Sequence, residues 1–169
     1  MRKRNFLDYI HNNVKLKLNL GCGKKNTPDY WGIDIQDLPG VDEVYNVETG
    51  IPKNDETFDE VLAHDFLEHT HAEKNIFVME EIYRVLKPGG ELVAVVPSTD
   101  AGGHGAFQDP THISFWNETK FRYFMHDKYG GMGGLYGIKC YFQPSRVFTY
   151  FNEWRVPYVH AVLKKDSNE

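Results

Sequence analysis

Five short segments carry glycine, carboxylate, amide and imidazole groups in an order that suits a bound small ligand and a reaction beside it. Asn19-Leu20-Gly21-Cys22-Gly23 sets two glycines around a cysteine. Glycines there let the backbone take φ > 0 and let a ligand approach it closely. Asp34 follows 11 positions after Gly23. A carboxylate at such a place can accept hydrogen bonds from two neighbouring hydroxyls. Asn46-Val47 offers a side-chain amide and a backbone N–H, groups that can read the edge of a heterocycle. Imidazoles and carboxylates gather in His64-Asp65-Phe66-Leu67-Glu68-His69 and again between His104 and Trp116. An imidazole with an ordinary pKa near ~6.5 suits proton removal. In the second run Asp109 is expected to orient His112 as a catalytic pair. The competing reading has Asp109 capping the turn before Pro110 and His112 packing structurally.

These segments need elements to hold them. Alternation over 14–20 predicts a strand that runs into the glycine turn. Further strands are expected at 30–35, 41–47, 58–63 and 91–97, the last a near-continuous apolar run of the kind buried on both faces. Phe6, Leu7 and Ile10 suggest a short leading helix within 1–13. The clearest helix is 73–87, with Ile76, Met79, Tyr83 and Leu86 on one side and Pro88-Gly89-Gly90 as its stop. Another helix is expected at 118–129 with Asn117 as its cap, and two final strands at 139–151 and 158–163, read as an antiparallel pair. Residues 98–109 read as structureless. Strands alternating with helices favour an α/β sandwich on a largely parallel sheet, whose ligands sit beyond the carboxyl ends of the strands. All five chemical segments fall at such ends or just after them.

Composition narrows the classes. The chain has 169 residues, a length that favours one domain, 1–169. The net charge of -5 argues against a dedicated nucleic-acid binder. The basic run Arg2-Lys3-Arg4 reads as solvated. No apolar run approaches the ~18 residues of a membrane span, and the N-terminus lacks the apolar stretch of a signal peptide. Two cysteines, Cys22 and Cys140, make no disulfide framework and fit a reducing, cytoplasmic setting. His69 and His71 with Glu68 suggest a metal, but a His-x-His pair at a helix start is usually solvated, and no metal is expected. The aromatic tract from Tyr123 to Tyr158 reads as core packing ahead of a pocket lining.

The segment from about residue 16 to 97 resembles a class I S-adenosylmethionine-dependent methyltransferase, of a short, trimmed kind. Asn-Leu-Gly-Cys-Gly is similar to that family's first motif and Gly32-Ile33-Asp34-Ile35 to its second. Phe58 to His64 is similar to the strand that leads to the catalytic face. Leu86-Lys87-Pro88-Gly89-Gly90-Glu91-Leu92 is similar to its helix-to-strand turn, and Asp109-Pro110-Thr111-His112 to an element of the trimmed members. The resemblance implies a Rossmann-like sandwich, its sheet mostly parallel with an antiparallel C-terminal strand. It implies S-adenosyl-L-methionine as cofactor, with Leu20, Gly21, Cys22 and Gly23 along the methionine part. Asp34 would hold the ribose and Ile35 would pack on the adenine. Asn46 and Val47 would meet the adenine edge, and His64 would lie near the methionine end.

One departure is visible. Only ten residues, 24–33, separate Gly23 from Asp34, which leaves no room for the helix whose N-terminus would hold a pyrophosphate. This counts against a nicotinamide-dependent oxidoreductase. His64-Asp65-Phe66-Leu67 is also unlike the Asn/Asp-Pro-Pro-Tyr/Phe element tied to amino methylation of bases. The expected acceptor is therefore a small molecule or saccharide, methylated on O or N. A nucleic-acid methyltransferase and a non-catalytic S-adenosylmethionine-binding module are the alternatives. The sequence does not fix an oligomeric state.

Overall fold

A computed structural model describes residues 3–24, 26–102 and 104–167; Arg2 of the basic run lies outside them. Seven strands form one sheet: β1 (Lys17–Leu20), β2 (Trp31–Asp34), β3 (Glu43–Val44), β4 (Phe58–His64), β5 (Leu86–Pro97), β6 (Phe142–Phe151) and β7 (Pro157–Lys165). Their spatial order is β3-β2-β1-β4-β5-β7-β6. The first five are parallel, and β7 runs antiparallel to both β5 and β6. This is the expected Rossmann-like sheet. The chain leaves β1 in one direction for β2 and β3, then returns to the far side of β1 for β4. The switch point lies between β1 and β4, where open α/β sheets bind ligands.

One face of the sheet is sealed. Leu18, Leu20, Ile33, Val61, Ala63, Leu92, Ala94, Val96, Val159, Ala161 and Leu163 project there and are buried. Helix α2 (Asn75–Val85) adds Val78, Met79, Ile82 and Val85 to the core. Ile76 and Phe77 stay partly exposed, so the buried stripe is rotated from the expected one. The last turn of α2 is clamped by Arg84, which donates to Ile51 and Lys53 carbonyls and pairs with Asp55 and Glu81. Helix α1 (Phe6–Asn12) forms as expected, capped by Asn5. Phe6 and Tyr9 pack on Trp31, while Leu7 faces outward.

The opposite face is only half covered, because no helix joins β1 to β2. Residues 26–30 cross it as a loop, as the short spacing predicted. Asp42 is the pin. Its carboxylate accepts from Arg4 Nε at 2.6 Å, Gly32 N at 2.8 Å and Asn26 Nδ2 at 3.2 Å. Arg4 also donates to the Pro28 carbonyl at 2.9 Å, so it is structural rather than solvated. Beyond the loop, Leu62, Val93, Val162 and His160 of this face remain half-buried.

Three boundaries differ from expectation. Pro88-Gly89-Gly90 lies within β5 and does not stop α2. Leu86 already pairs with Phe58, and a register shift absorbs the turn. A Cβ at Gly90 would meet the Phe58 carbonyl oxygen at 3.1 Å, so the strands close only over glycine. The helix expected at 118–129 is α4 (Glu118–Arg122), after α3 (His104–Gln108) in the stretch read as structureless. Asn117 caps α4 by accepting from Lys120 N at 2.8 Å. It stops early because the chain turns to meet β6: Phe142 N donates to the Phe124 carbonyl and His126 N to the Phe142 carbonyl. The third strand shrinks to two residues, and Val47 enters a 3-10 turn, Val47–Thr49.

Candidate active site

Two neighbouring cavities open at the carboxyl ends of the parallel strands. The first, about 470 Å³, is lined by Gly21, Asp34, Ile35, Asn46, Val47 and Phe66, with Asp65, His69 and Thr111 toward the second. The second, about 590 Å³, is lined by Asp65, Glu68, His69, Asp109, His112 and Tyr158. Asp65 and His69 belong to both walls. A larger hollow of about 840 Å³ lies by the Asp42 pin, away from these strand ends.

The first cavity is built by the glycine turn. Gly21 and Gly23 both have positive φ, 63° and 56°. A Cβ on Gly21 would strike Phe66 Cδ2 at 2.5 Å. Gly23 N donates to Asp34 Oδ2 at 2.9 Å and Gln36 N to Asp34 Oδ1 at 2.9 Å, so the carboxylate is held on both oxygens. Each oxygen keeps a second lone pair. Ile35 presents a 64% exposed apolar side chain to the cavity. Asn46 accepts from Glu48 N at 3.0 Å and caps the 3-10 turn with the same oxygen that was expected to meet the adenine. Leu20 is buried. Cys22 turns away onto Gly32, where burial pushes its thiol up to about 12. The His64 side chain points to the half-open sheet face, 3.6 Å from Asp65, and the next residue enters the cavity in its place. Asp65 itself is left-handed, φ 48°, a conformation Asp tolerates better than most residues.

The second cavity is assembled from chain segments distant in sequence. The Glu68 carbonyl accepts from Ile113 N at 2.9 Å and Ser114 N at 3.0 Å. Ser114 Oγ donates to the Leu67 carbonyl at 2.9 Å and accepts from Trp116 Nε1 at 3.0 Å. Asn75 joins Thr70 at 2.8 Å, and Lys120 reaches Asn75 Oδ1 at 2.5 Å. Burial pushes the Lys120 ammonium down to about 8. This network fastens 67–75 to 111–120 and so carries His112 to His69, their rings 5.0 Å apart and nearly perpendicular.

Asp109 stands at ion-pair distance from His112 but makes no hydrogen bond to it. Their closest approach is 3.8 Å, because Asp109 Oδ1 accepts from Thr111 N at 2.8 Å and Thr111 Oγ1 at 2.6 Å. The Ala106 carbonyl orients His112 instead, 3.1 Å from Nδ1. His71 turns to Glu48, 3.0 Å away, and leaves the His69 cluster. Glu68 is 2% exposed, and neither carboxylate oxygen has a hydrogen-bond partner among the described residues. Burial, with Asp65 and Asp109 adding repulsion, pushes its carboxyl up to about 8. Tyr158 is pushed up to about 12, chiefly by burial and then by the neighbouring Asp65 carboxylate. The joint role of Glu68, Asp65 and Tyr158 was not legible in the sequence: nothing in their spacing marks a common cavity.

A methyltransferase-domain family profile matches residues 36–94, from the end of β2 into β5. The sheet order and the glycine turn agree with it. Over these residues the chain is similar to methyltransferase domains. The match and the shared fold support a methyltransferase that uses S-adenosylmethionine. Three solved structures share the methyltransferase fold. An S-adenosylmethionine-dependent methyltransferase from Archaeoglobus fulgidus is 15% identical, with 95% of this chain and 90% of that one covered at a TM-score of 0.67. A 1,6-didemethyltoxoflavin-N1-methyltransferase from Burkholderia thailandensis is 14% identical, covering 95% and 75% at 0.63. That structure holds 1,6-didemethyltoxoflavin and S-adenosylhomocysteine. A methyltransferase from Methanosarcina mazei is 15% identical, covering 98% and 100% at 0.62. No curated protein matches the sequence. Among the described residues, no helix is long and apolar enough to cross a membrane.

Proposed function

We propose that the chain, acting as one domain in the cytoplasm, transfers the methyl group of S-adenosylmethionine to an oxygen or nitrogen of a small molecule or saccharide. The observation that carries this reading is the pair of cavities sharing Asp65 and His69. A cofactor in the first presents its sulfonium to an acceptor in the second. Such transfer needs proximity and in-line approach above all.

Gly21 takes the cofactor's methionine part against its backbone, with Leu20, Cys22 and Gly23 contributing main chain only. Asp34 holds the ribose through the lone pairs its backbone donors leave. Ile35 packs on the adenine, and Asn46 and Val47 border it. His64 acts through its backbone. On the acceptor side Glu68, His69 and His112 are the groups in reach, and Asp109 holds the turn that presents them.

The acceptor cavity, about 590 Å³, is of small-molecule size. Among the described residues that line it there is no Lys or Arg, so a phosphate backbone finds no counter-charge there. This favours the small-molecule reading over a nucleic-acid one. The toxoflavin enzyme supplies a precedent for a small acceptor on this fold. Calorimetry with S-adenosylmethionine, S-adenosylhomocysteine and NAD tests the cofactor, and labelled methyl transfer to a panel of hydroxyl and amine acceptors tests the reaction. Adenosyl-ligand binding without NAD binding is expected. A folded protein that binds neither adenosyl ligand overturns the reading. Binding with no transfer to any acceptor favours the non-catalytic module.

A further inference from the structure

The acceptor cavity contains a buried side chain with no protein partner among the described residues. Glu68 is buried with both oxygens unpartnered, and it faces Asp65 and Asp109 across the cavity. Among the described residues no Lys or Arg lines that cavity to pair with Glu68. Buried polar atoms without partners are rare, and an ion is one of the few things that satisfies them.

The imidazoles are prepared for such an ion. His69 Nδ1 lies 3.1 Å from the Thr111 carbonyl, and His112 Nδ1 lies 3.1 Å from the Ala106 carbonyl. A carbonyl only accepts, so each Nδ1 carries the proton, and each Nε2 keeps its lone pair. Backbone carbonyls that fix the tautomer in this way are the usual outer support of metal-binding histidines. One ligand atom each from Glu68, His69 and His112 lies within 4.8 Å of the other two.

We propose that Glu68, His69 and His112 bind a divalent first-row transition metal, such as Zn²⁺, Mn²⁺ or Fe²⁺, in the wall between the two cavities. Two imidazole nitrogens with one carboxylate suit these ions better than Mg²⁺ or Ca²⁺, which prefer all-oxygen sets. Three protein ligands leave open positions, the mark of a reactive rather than a purely structural site. Those positions face the acceptor cavity. Resting on the methyl-transfer reading, the metal selects acceptors with a hydroxyl oxygen, whose proton, made easier to lose by the Lewis acid, passes to solvent water as the oxygen takes the methyl group and S-adenosylhomocysteine is left.

The test uses the full chain freed of metal by chelation, titrated with Co²⁺ and followed by its visible d–d absorption, then displaced by Zn²⁺. One ion per chain is expected, with affinity reduced at least tenfold in His69→Ala, His112→Ala and Glu68→Gln and unchanged in His71→Ala. Near-ultraviolet circular dichroism checks folding of each variant, and the isosteric Glu68→Gln keeps the test decisive if a histidine variant unfolds. S-adenosylhomocysteine binding is measured on the same samples. Absence of Co²⁺ absorption in protein that binds S-adenosylhomocysteine overturns the metal site and leaves methyl transfer standing. Co²⁺ binding that survives all three ligand substitutions places the ion elsewhere and also overturns it. Co²⁺ binding with no S-adenosylhomocysteine binding upholds the site and removes its role in methyl transfer.

Discussion

The Gly23 amide donates to the Asp34 carboxylate at 2.9 Å, closing the turn after β1 onto the end of β2. The residue proposed to hold the cofactor ribose therefore also shapes the loop beneath the cofactor's methionine part. Asp34→Ala should weaken S-adenosylhomocysteine binding at least tenfold, about 1.4 kcal/mol, and lower the melting temperature. Asp34→Asn keeps an acceptor oxygen for one backbone donor and should lose less on both counts. Calorimetry and thermal melts on both variants check this. An Asp34→Ala protein with unchanged affinity would remove Asp34 from the site.

Gly21 and Gly23 are both left-handed but stand in different surroundings. At Gly21 a methyl group would enter the Phe66 ring, whereas at Gly23 nothing lies within 4 Å. Gly23→Ala should cost only the backbone penalty, about 1–2 kcal/mol. Gly21→Ala adds a clash that must push Phe66 into the first cavity. It should destabilise more and abolish measurable cofactor binding. Urea melts with paired calorimetry rank the two, and equal losses would mean that Phe66 yields freely.

The Asp42 pin replaces the missing helix. Its side chain is 6% exposed and holds Arg4, Gly32 and Asn26 together. Asp42→Ala leaves buried donors without an acceptor and should cost about 3 kcal/mol. The cluster of Glu68, His69 and His112 lies elsewhere, so Co²⁺ affinity of the folded fraction should not change. Chemical denaturation gives the first quantity and Co²⁺ absorption the second.

Glu81 gives the fold a pH dependence with a definite sign. Arg84 holds its carboxyl below the usual glutamate range, and Ile51 N donates to it at 2.7 Å. Its side chain is 15% exposed. A folded-state pKa below the unfolded one contributes stability above the unfolded value, which is lost as pH falls through the folded value. Glu81→Gln should cost about 1.5 kcal/mol at neutral pH. The difference between the two proteins should shrink below about pH 4. Denaturation curves at pH 7 and at pH 3 check it, and a difference independent of pH would mean that packing, not charge, is responsible.

What the sequence determined by itself is local. The glycine turn, Asp34 and Ile35 lie along one short stretch, where glycine conformation and strand alternation dictate placement directly. The ten-residue gap after Gly23 fixed the absence of a helix by length alone, and the apolar pattern of β5 fixed a strand buried against its neighbours. Boundaries slipped where pairing overrode local preference. β5 begins before Pro88 because Leu86 finds Phe58, and α4 ends early because Phe142 takes the backbone of Phe124 and His126. The acceptor side was decided by tertiary structure. Asp109 and His112 looked like a pair from spacing, but Thr111 and Ala106 claim their hydrogen bonds. His69 and His112 are separated in the chain by α2 and β5, and they meet because the Glu68 carbonyl and Ser114 fasten two loops across the end of the sheet. The burial that leaves the Glu68 carboxylate without a partner arises only once those loops close over it, because a carboxylate in an open chain is solvated by water.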